Sequence, residues 1–311
     1  MILSVTPNST IDYTIHLPFF RWGETIRADQ AVWGMAGKPA DASWVLGELG
    51  YETTATGFAA GQAGERMVAL LRKKHVVDDF VQVAGETRLN VHLVDQESGG
   101  QSTITVDSLE VHDDHINALF AKVVIALDQA AVMITGGSLP KCMTRDFFHP
   151  LITMAKEKGV PVIFDSSHPH LLAGLKASPD VIKPNGTELA SVVGHPVATL
   201  EDAYHAACQV KAEYGSQVVV TLGSQGGLAV LNHGSYHILP PPIPKVVSTA
   251  GAGDAVLAGI AWALAFQQPL DEGIRLGFAA AGAVIQTPAT ADCKREDVMH
   301  LLPAIEMIPY P

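Results

Sequence analysis

Between residues 255 and 264 the chain reads Ala-Val-Leu-Ala-Gly-Ile-Ala-Trp-Ala-Leu, with neither charge nor proline. A helix that is apolar all round has no face to give to water, so it belongs in a protein interior. The residues before it, Ser248-Thr249-Ala250-Gly251-Ala252-Gly253-Asp254, are small and leave the backbone bare. Bare N–H groups at a helix start, with the positive end of the helix dipole, make a site for anions. Asp254 falls on the first turn, pointing into that site. An acid beside a place built for negative charge fits phosphoryl transfer. The amides of Gly251, Ala252 and Gly253 would hold the moving phosphoryl group while Asp254 orients an attacking hydroxyl. Two competing readings are a dinucleotide fingerprint and a plain tight loop before a core helix. The fingerprint fits poorly, because its third glycine position is Val256 and the stretch lies far from a first βαβ unit.

The chain has 311 residues, 48% of them apolar and 17% charged, so most of it must pack as core. The formal net charge of −12 argues against nucleic acid and anionic membrane as partners. Any anionic substrate must therefore meet a local cluster of Lys and Arg. Cys142, Cys208 and Cys293 are far apart and odd in number, which reads as reduced thiols in a cytoplasmic protein. Residues 1–6 read as a strand rather than a signal peptide. No apolar run is long enough to span a membrane.

Asp12 follows a turn at the end of the first strand, where open α/β sheets place ligand groups. It could accept hydrogen bonds from hydroxyls, or be a turn acid. Residues 13–33 alternate weakly and read as short strands. Gly34-Met35-Ala36-Gly37-Lys38-Pro39 is a glycine-rich loop before a helix over 40–49, with Asp41 in its first turn. Its spacing is not that of a Walker A loop. A strand over 53–58 and a helix over 64–74 follow. Two strands around Glu97-Ser98-Gly99-Gly100 form a hairpin within 87–107. With 13–33 they would make a small β lid on the larger domain, formed by 1–12, 34–86 and 108–311. From 113 the pattern is βα: helices over 113–127, 144–158 and 199–214, strands over 131–135, 160–165, 181–182 and 217–222. A hairpin over 228–239 and helices near 270–286 and 294–302 complete it. This rhythm predicts a mostly parallel sheet covered on both faces.

Polar or glycine-rich loops follow several of these strands, at 7–12, 136–140, 183–188, 221–227 and 248–254, and a parallel sheet gathers them on one edge. On Ser248–Asp254, Lys183-Pro184-Asn185 with Glu188, Thr221–Gly227 and Gly136-Gly137-Ser138-Leu139-Pro140, the chain resembles the PfkB carbohydrate kinase (ribokinase-like) family over nearly its whole length. Thr87-Arg88-Leu89-Asn90 and Gly23-Glu24 with Arg27 look most like its phosphosugar branch. The resemblance implies a three-layer α/β/α fold and ATP- and magnesium-dependent phosphorylation of a sugar phosphate hydroxyl. It implies Asp254 as catalytic base and Gly251, Ala252 and Gly253 as the anion hole. It implies Asn185 and Glu188 organising Mg2+ through water, and Lys183, Thr221, Gly223 and Gly226 at the nucleotide. Asp12 and Gly37 would hold sugar hydroxyls, and Arg27, Lys38, Arg88 and Ser138 the substrate's phosphate. A homodimer through the lid follows from its open edge.

The sugar loop departs from the family's Gly-Gly-Lys-Gly-x-Asn. Here it is Ala36-Gly37-Lys38-Pro39-Ala40-Asp41. Pro39 removes a donor and restricts φ. Asp41 replaces an amide with a group that only accepts when ionised, and adds negative charge to the substrate pocket. An unphosphorylated sugar or nucleoside, or a silent sugar or nucleotide sensor, are the alternatives this raises. Asp254 itself is expected to be a weak base, because the helix dipole favours its charged form.

Overall fold

The computed structural model describes residues 1–106, 109–141, 143 and 145–311. Cys142, Thr144 and the 107/108 boundary drawn above lie outside the described residues. The chain opens with β1 (Ile2–Thr6), β2 (Thr10–Leu17), β3 (Gln30–Ala36), α1 (Lys38–Glu48), β4 (Thr53–Ala59) and α2 (Gly61–Lys73). The short strands β5 (Val77–Asp78), β6 (Val81–Gln82) and β7 (Ala84–Gly85) lead to β8 (Arg88–Asp95), β9 (Gln101–Thr105) and β10 (Leu109–Glu110). Then come α3 (Asp113–Leu127), β11 (Val132–Gly136), α4 (Phe148–Glu157), β12 (Val162–Asp165), α5 (His170–Leu175), β13 (Val181–Ile182), α6 (Gly186–Val193), α7 (Leu200–Tyr214) and β14 (Gln217–Thr221). The chain finishes with β15 (Gly227–Val230), β16 (Ser235–Leu239), α8 (Ala252–Ala265), α9 (Leu270–Val284), α10 (Arg295–Leu301) and β17 (Glu306–Pro309).

The large sheet runs β17-β16-β15-β14-β13-β12-β11-β1-β4-β5, with β6 also on β4. It is parallel from β14 to β5 and antiparallel across β15, β16 and β17. Successive strand residues face opposite ways, so one strand feeds two cores. Val219 and Ile163 join the core with α1, α8 and α9, while Val218, Val220 and Phe164 join the core with α3, α4 and α7. The outcome is helix, sheet, helix, three layers deep. The second sheet has the order β3-β2-β8-β9, with β2 and β8 parallel. Its pairing begins at Thr10 and Ala36, so its strands run past residues 13–33 on both sides.

Most elements match the expected spans within a few residues. α1 starts two residues earlier, at Lys38, because Pro39 sits in the first helical turn, where its missing N–H is not needed. The donor that Pro39 lacks is therefore not lost from any ladder. α4 is preceded by a 3-10 turn over Arg145–Phe147. α5 and β17 were not expected. α5 is only six residues long. β17 lies on the sheet's outer edge, where a strand tolerates proline. Cys208 and Cys293 are free thiols, and burial pushes the Cys293 thiol up to about 12. No helix among the described residues is long and apolar enough to cross a membrane.

α8 is enclosed as its composition requires: Ala255 to Ala261 are all buried. It packs against α9 at glycine. A Cβ on Gly259 would lie 2.2 Å from the Gly273 carbonyl oxygen, and one on Gly277 2.8 Å from Val256 Cα. Gly259→Val is expected to destabilise the protein by about 1–3 kcal/mol or more through overpacking, read as a lower urea midpoint at unchanged slope.

Candidate active site

β1 lies between β4, reached first by the chain, and β11, reached later. The strand order reverses there, and ligands of open α/β sheets bind outside the carboxyl ends at such a point. A cleft of about 450 Å³ opens at that place. Its walls include Thr6 at the end of β1 and Asn8 beyond it, Gly136 at the end of β11 with Gly137 and Ser138 beyond it, Lys38 and Asp41 of α1, and Asp12, Arg88, Asn90 and His92 of the small sheet. Gly251 and Asp254 close its floor. A second cavity of about 500 Å³ is lined by Thr221, Gly223, Gly226, Pro240, Ile243, Phe278, Ala252 and Gly253. The start of α8 therefore divides two cavities.

That start has no cap of its own. α6 is closed by Asn185 and α7 by Thr199, each through a reciprocal pair with the residue three positions on. The residue before α8 is Gly251, at φ 80°, with no side-chain cap. A Cβ there would lie 2.3 Å from the Ala291 nitrogen, so only glycine fits. The Gly251 and Gly253 N–H groups bond to nothing among the described residues, whereas the Ala252 N–H, expected beside them in the anion hole, donates to the Thr249 carbonyl oxygen at 3.4 Å. Such donors need an external acceptor, and the dipole selects an anion.

Beneath this turn lies a network of buried charge. Lys38 Nζ donates to Asp165 Oδ1 at 2.8 Å and to Glu188 Oε1 at 2.9 Å. Lys183 Nζ is 3.0 Å from Asp165 Oδ2, and a Cβ on Gly253 would be 3.3 Å from it. Burial would raise the Asp165 carboxyl, but Lys183 and Lys38 outweigh it and hold it below its usual range. Burial would lower Lys38, but Asp165, Glu188 and Asp254 raise it instead. Lys38 thus spends its charge on carboxylates at the cavity divide. Its side chain also lines the first cleft.

Asp254 is also not the weak base expected from the helix dipole. Protein packed around it desolvates it, and with the Asp165 charge this raises its carboxyl to about 6, although Lys38 and Lys183 pull the other way. Asp41 is 2% exposed, and its carboxyl meets that of Asp254. Burial, then the charges of Asp254 and Asp12, raise Asp41 well above the carboxylate range.

The small sheet supplies the roof. Its register sets Thr10, Asp12 and Thr14 beside Arg88, Asn90 and His92. Asp12 accepts from Asn90 Nδ2 at 2.9 Å and Thr290 Oγ1 at 2.6 Å, and its Oδ2 is 2.7 Å from His92 Nε2. Arg88 donates to Thr10 Oγ1 at 2.9 Å and to Ser138 Oγ at 3.3 Å, which links roof to wall. Gly37, at φ 101°, starts α1 against Thr6. Arg27 is exposed and lies outside the cleft walls, so the single chain does not bring it to the site. Asn90, His92, Thr290 and Asp165 were not among the expected residues. Alternation from Arg88 points to Asn90 and His92, and Asp165 ends a strand as Asp12's loop does. Thr290 has no local signal.

Asn185 and Glu188 form the cap of α6: Asn185 Oδ1 accepts from the Glu188 N–H at 2.8 Å, and Glu188 Oε2 from the Asn185 N–H at 2.9 Å. Among the described residues no group of three His, Cys, Asp or Glu could cage a metal. Glu188 lines neither cavity, but its carboxylate is hard oxygen whose present partners are Lys38, Ser167 and the Asn185 N–H. That suits a cation that keeps its waters and takes phosphate oxygens, as magnesium does.

The pfkB family carbohydrate kinase model matches residues 6–297. The chain belongs to the PfkB family of carbohydrate kinases. It is 33% identical to 1-phosphofructokinase of Vibrio cholerae over 261 residues, 84% of this chain and 82% of that one. It superposes on phosphofructokinase-2 from Escherichia coli in complex with potassium with a TM-score of 0.89 at 28% identity, covering 97% of this chain and 98% of that one. Arabidopsis thaliana ribokinase complexed with ribose and ATP gives a TM-score of 0.76 at 24% identity over 97% and 98%, and shares the fold. The PfkB chain described here is a carbohydrate kinase with the ribokinase-like three-layer architecture. Asp165→Ala should destabilise it by about 3–5 kcal/mol at pH 7, because Lys183 would stay buried without its partner. The Asp165 contribution is full above about pH 4 and fades as pH falls through its lowered value, so wild type and variant should converge in acid urea titrations.

Proposed function

We propose that this kinase transfers the γ-phosphoryl group of ATP to a hydroxyl of a sugar phosphate of the fructose or tagatose phosphate type. The observation that carries this is the uncapped start of α8 between two cavities, with Asp254 on one side of it. ATP would occupy the cavity lined by Thr221, Gly223 and Gly226, its γ-phosphate meeting the free amides of Gly251 and Gly253. The acceptor would occupy the other cleft, with hydroxyls on Asp12 and Gly37 and its own phosphate near Arg88 and Ser138. Asp254 would aim the attacking hydroxyl and take its proton, while Lys183 and the dipole offset the moving charge. Glu188 and Asn185 would hold Mg2+ through water, and that ion, when bound, neutralises charge on the β- and γ-phosphate oxygens. The small sheet would act as the lid.

A neutral sugar is a second acceptor class, favoured by the commitment of Lys38 to Asp165 and Glu188. We further infer a homodimer through the lid, supported by β9, an edge strand exposed along its whole length, and by Ile104 and Val106, 54% and 60% exposed. Ile104→Lys should then yield monomers by light scattering; an unchanged mass removes the lid from the interface.

A coupled ADP-release assay over fructose 1-phosphate, fructose 6-phosphate and tagatose 6-phosphate tests the main reading. Asp254→Asn should lower kcat by about 10²–10⁴. Arg88→Ala should raise KM for the phosphosugar by about 10- to 100-fold and barely change it for a neutral sugar. Turnover surviving in Asp254→Asn overturns the assignment of the base.

A further inference from the structure

The departure Asp41 from the family's asparagine is the feature the function above does not absorb. Asp41 lines the acceptor cleft, is 2% exposed, and its Oδ1 has no hydrogen-bond partner. Its charged and titratable surroundings are almost all acidic. From α8 it meets Asp254, and from β2 it faces Asp12, which His92 of β8 holds. Lys38, on its own helix, is bonded to Asp165 and Glu188. Lys183 lies on Asp165 of β12. Among the described residues no cation pairs with Asp41, and two carboxyls in contact at the cleft wall, Asp41 buried and Asp254 partly exposed, resist being ionised together.

We propose that Asp41 is held as a neutral carboxylic acid that donates its proton in a hydrogen bond to the Asp254 carboxylate, so fixing and tuning the catalytic base. A protonated carboxyl has both a donor and an acceptor, as an amide does. The acid form thus does the work of the missing asparagine in donating toward Asp254. It also removes the extra negative charge that an ionised Asp41 would bring beside an incoming phosphate. During transfer the acceptor O–P bond forms, the Pγ–O bond to ADP breaks, and the hydroxyl proton passes to Asp254. Asp41 keeps its own proton throughout. Asp41 is therefore a positioning residue. Both carboxyls depart upward from their usual range, chiefly through burial.

The inference rests on the kinase reading for its consequence, but the pairing is measurable without turnover. Carboxyl 13C NMR titration of the whole protein, with Asp41 and Asp254 assigned by Asp41→Asn and Asp254→Asn, should show Asp41 still protonated at pH 7 and Asp254 ionising near 6. In Asp41→Asn, whose amide still donates, Asp254 should ionise close to the wild-type value. In Asp41→Leu, which cannot donate, it should ionise about one pH unit or more higher. The acid limb of kcat/KM should move in the same way, tenfold per pH unit. The alkaline loss expected when Asp41 ionises should vanish in Asp41→Asn. An ionised Asp41 at pH 7 in the wild type overturns the proposal, even if the leucine variant does not fold. So does one Asp254 titration shared by wild type, asparagine and leucine variants. Absence of turnover on every sugar phosphate, with the NMR result as expected, would instead remove the substrate reading and leave the pair standing.

Discussion

The N–H groups of Gly251 and Gly253 have no acceptor among the described residues, and much of the molecule is arranged around those two free donors. A helix start is satisfied by a capping side chain, by water or by a ligand. Asn185 and Thr199 cap the two preceding helices. α8 has only Gly251, held in a conformation and against a neighbour, Ala291, that admit no side chain. Burying α8 on all sides fixes these donors at the boundary between the two cavities. The rigid sheet edge on one flank and the small sheet on the other then decide what can reach them.

Charge in the site follows from burial as much as from sign. Two lysines and two acids, Lys38, Lys183, Asp165 and Glu188, pair beneath the α8 turn. Asp254 and Asp41 lie beside that network without a cation of their own, and burial pushes both upward. The same desolvation that makes ion pairs strong makes an unpaired carboxylate basic. This is how one small region holds acids of opposite behaviour. The Asp165 carboxyl is held below its usual range, while those of Asp254 and Asp41 are pushed above it.

Much of the site was legible because strand ends and helix starts leave local marks. Asp254 after three small residues, Asp12 after the first strand and the loop at 136–140 stand out by type and position. The β8 residues needed the register with β2 as well as alternation, since Asn90 and His92 act through Asp12 on another strand. Thr290 reaches Asp12 across 278 residues of chain, and no pattern near it marks that contact. The family resemblance implied Lys38 as a phosphate contact. Its actual partners come from β12 and α6, which only the folded sheet brings beside α1.

The sequence alone determined what is periodic or local: the βα rhythm, the interior helix with its bare start, and an acid placed on its first turn. These depend on residue type and spacing within a few turns of chain. The tertiary structure decided protonation and pairing. Whether Asp41 carries a proton, which acids Lys38 serves, and how basic Asp254 becomes all depend on distances between distant segments and on the water excluded between them. Desolvation is a property of the assembled neighbourhood, and no single stretch of chain encodes it.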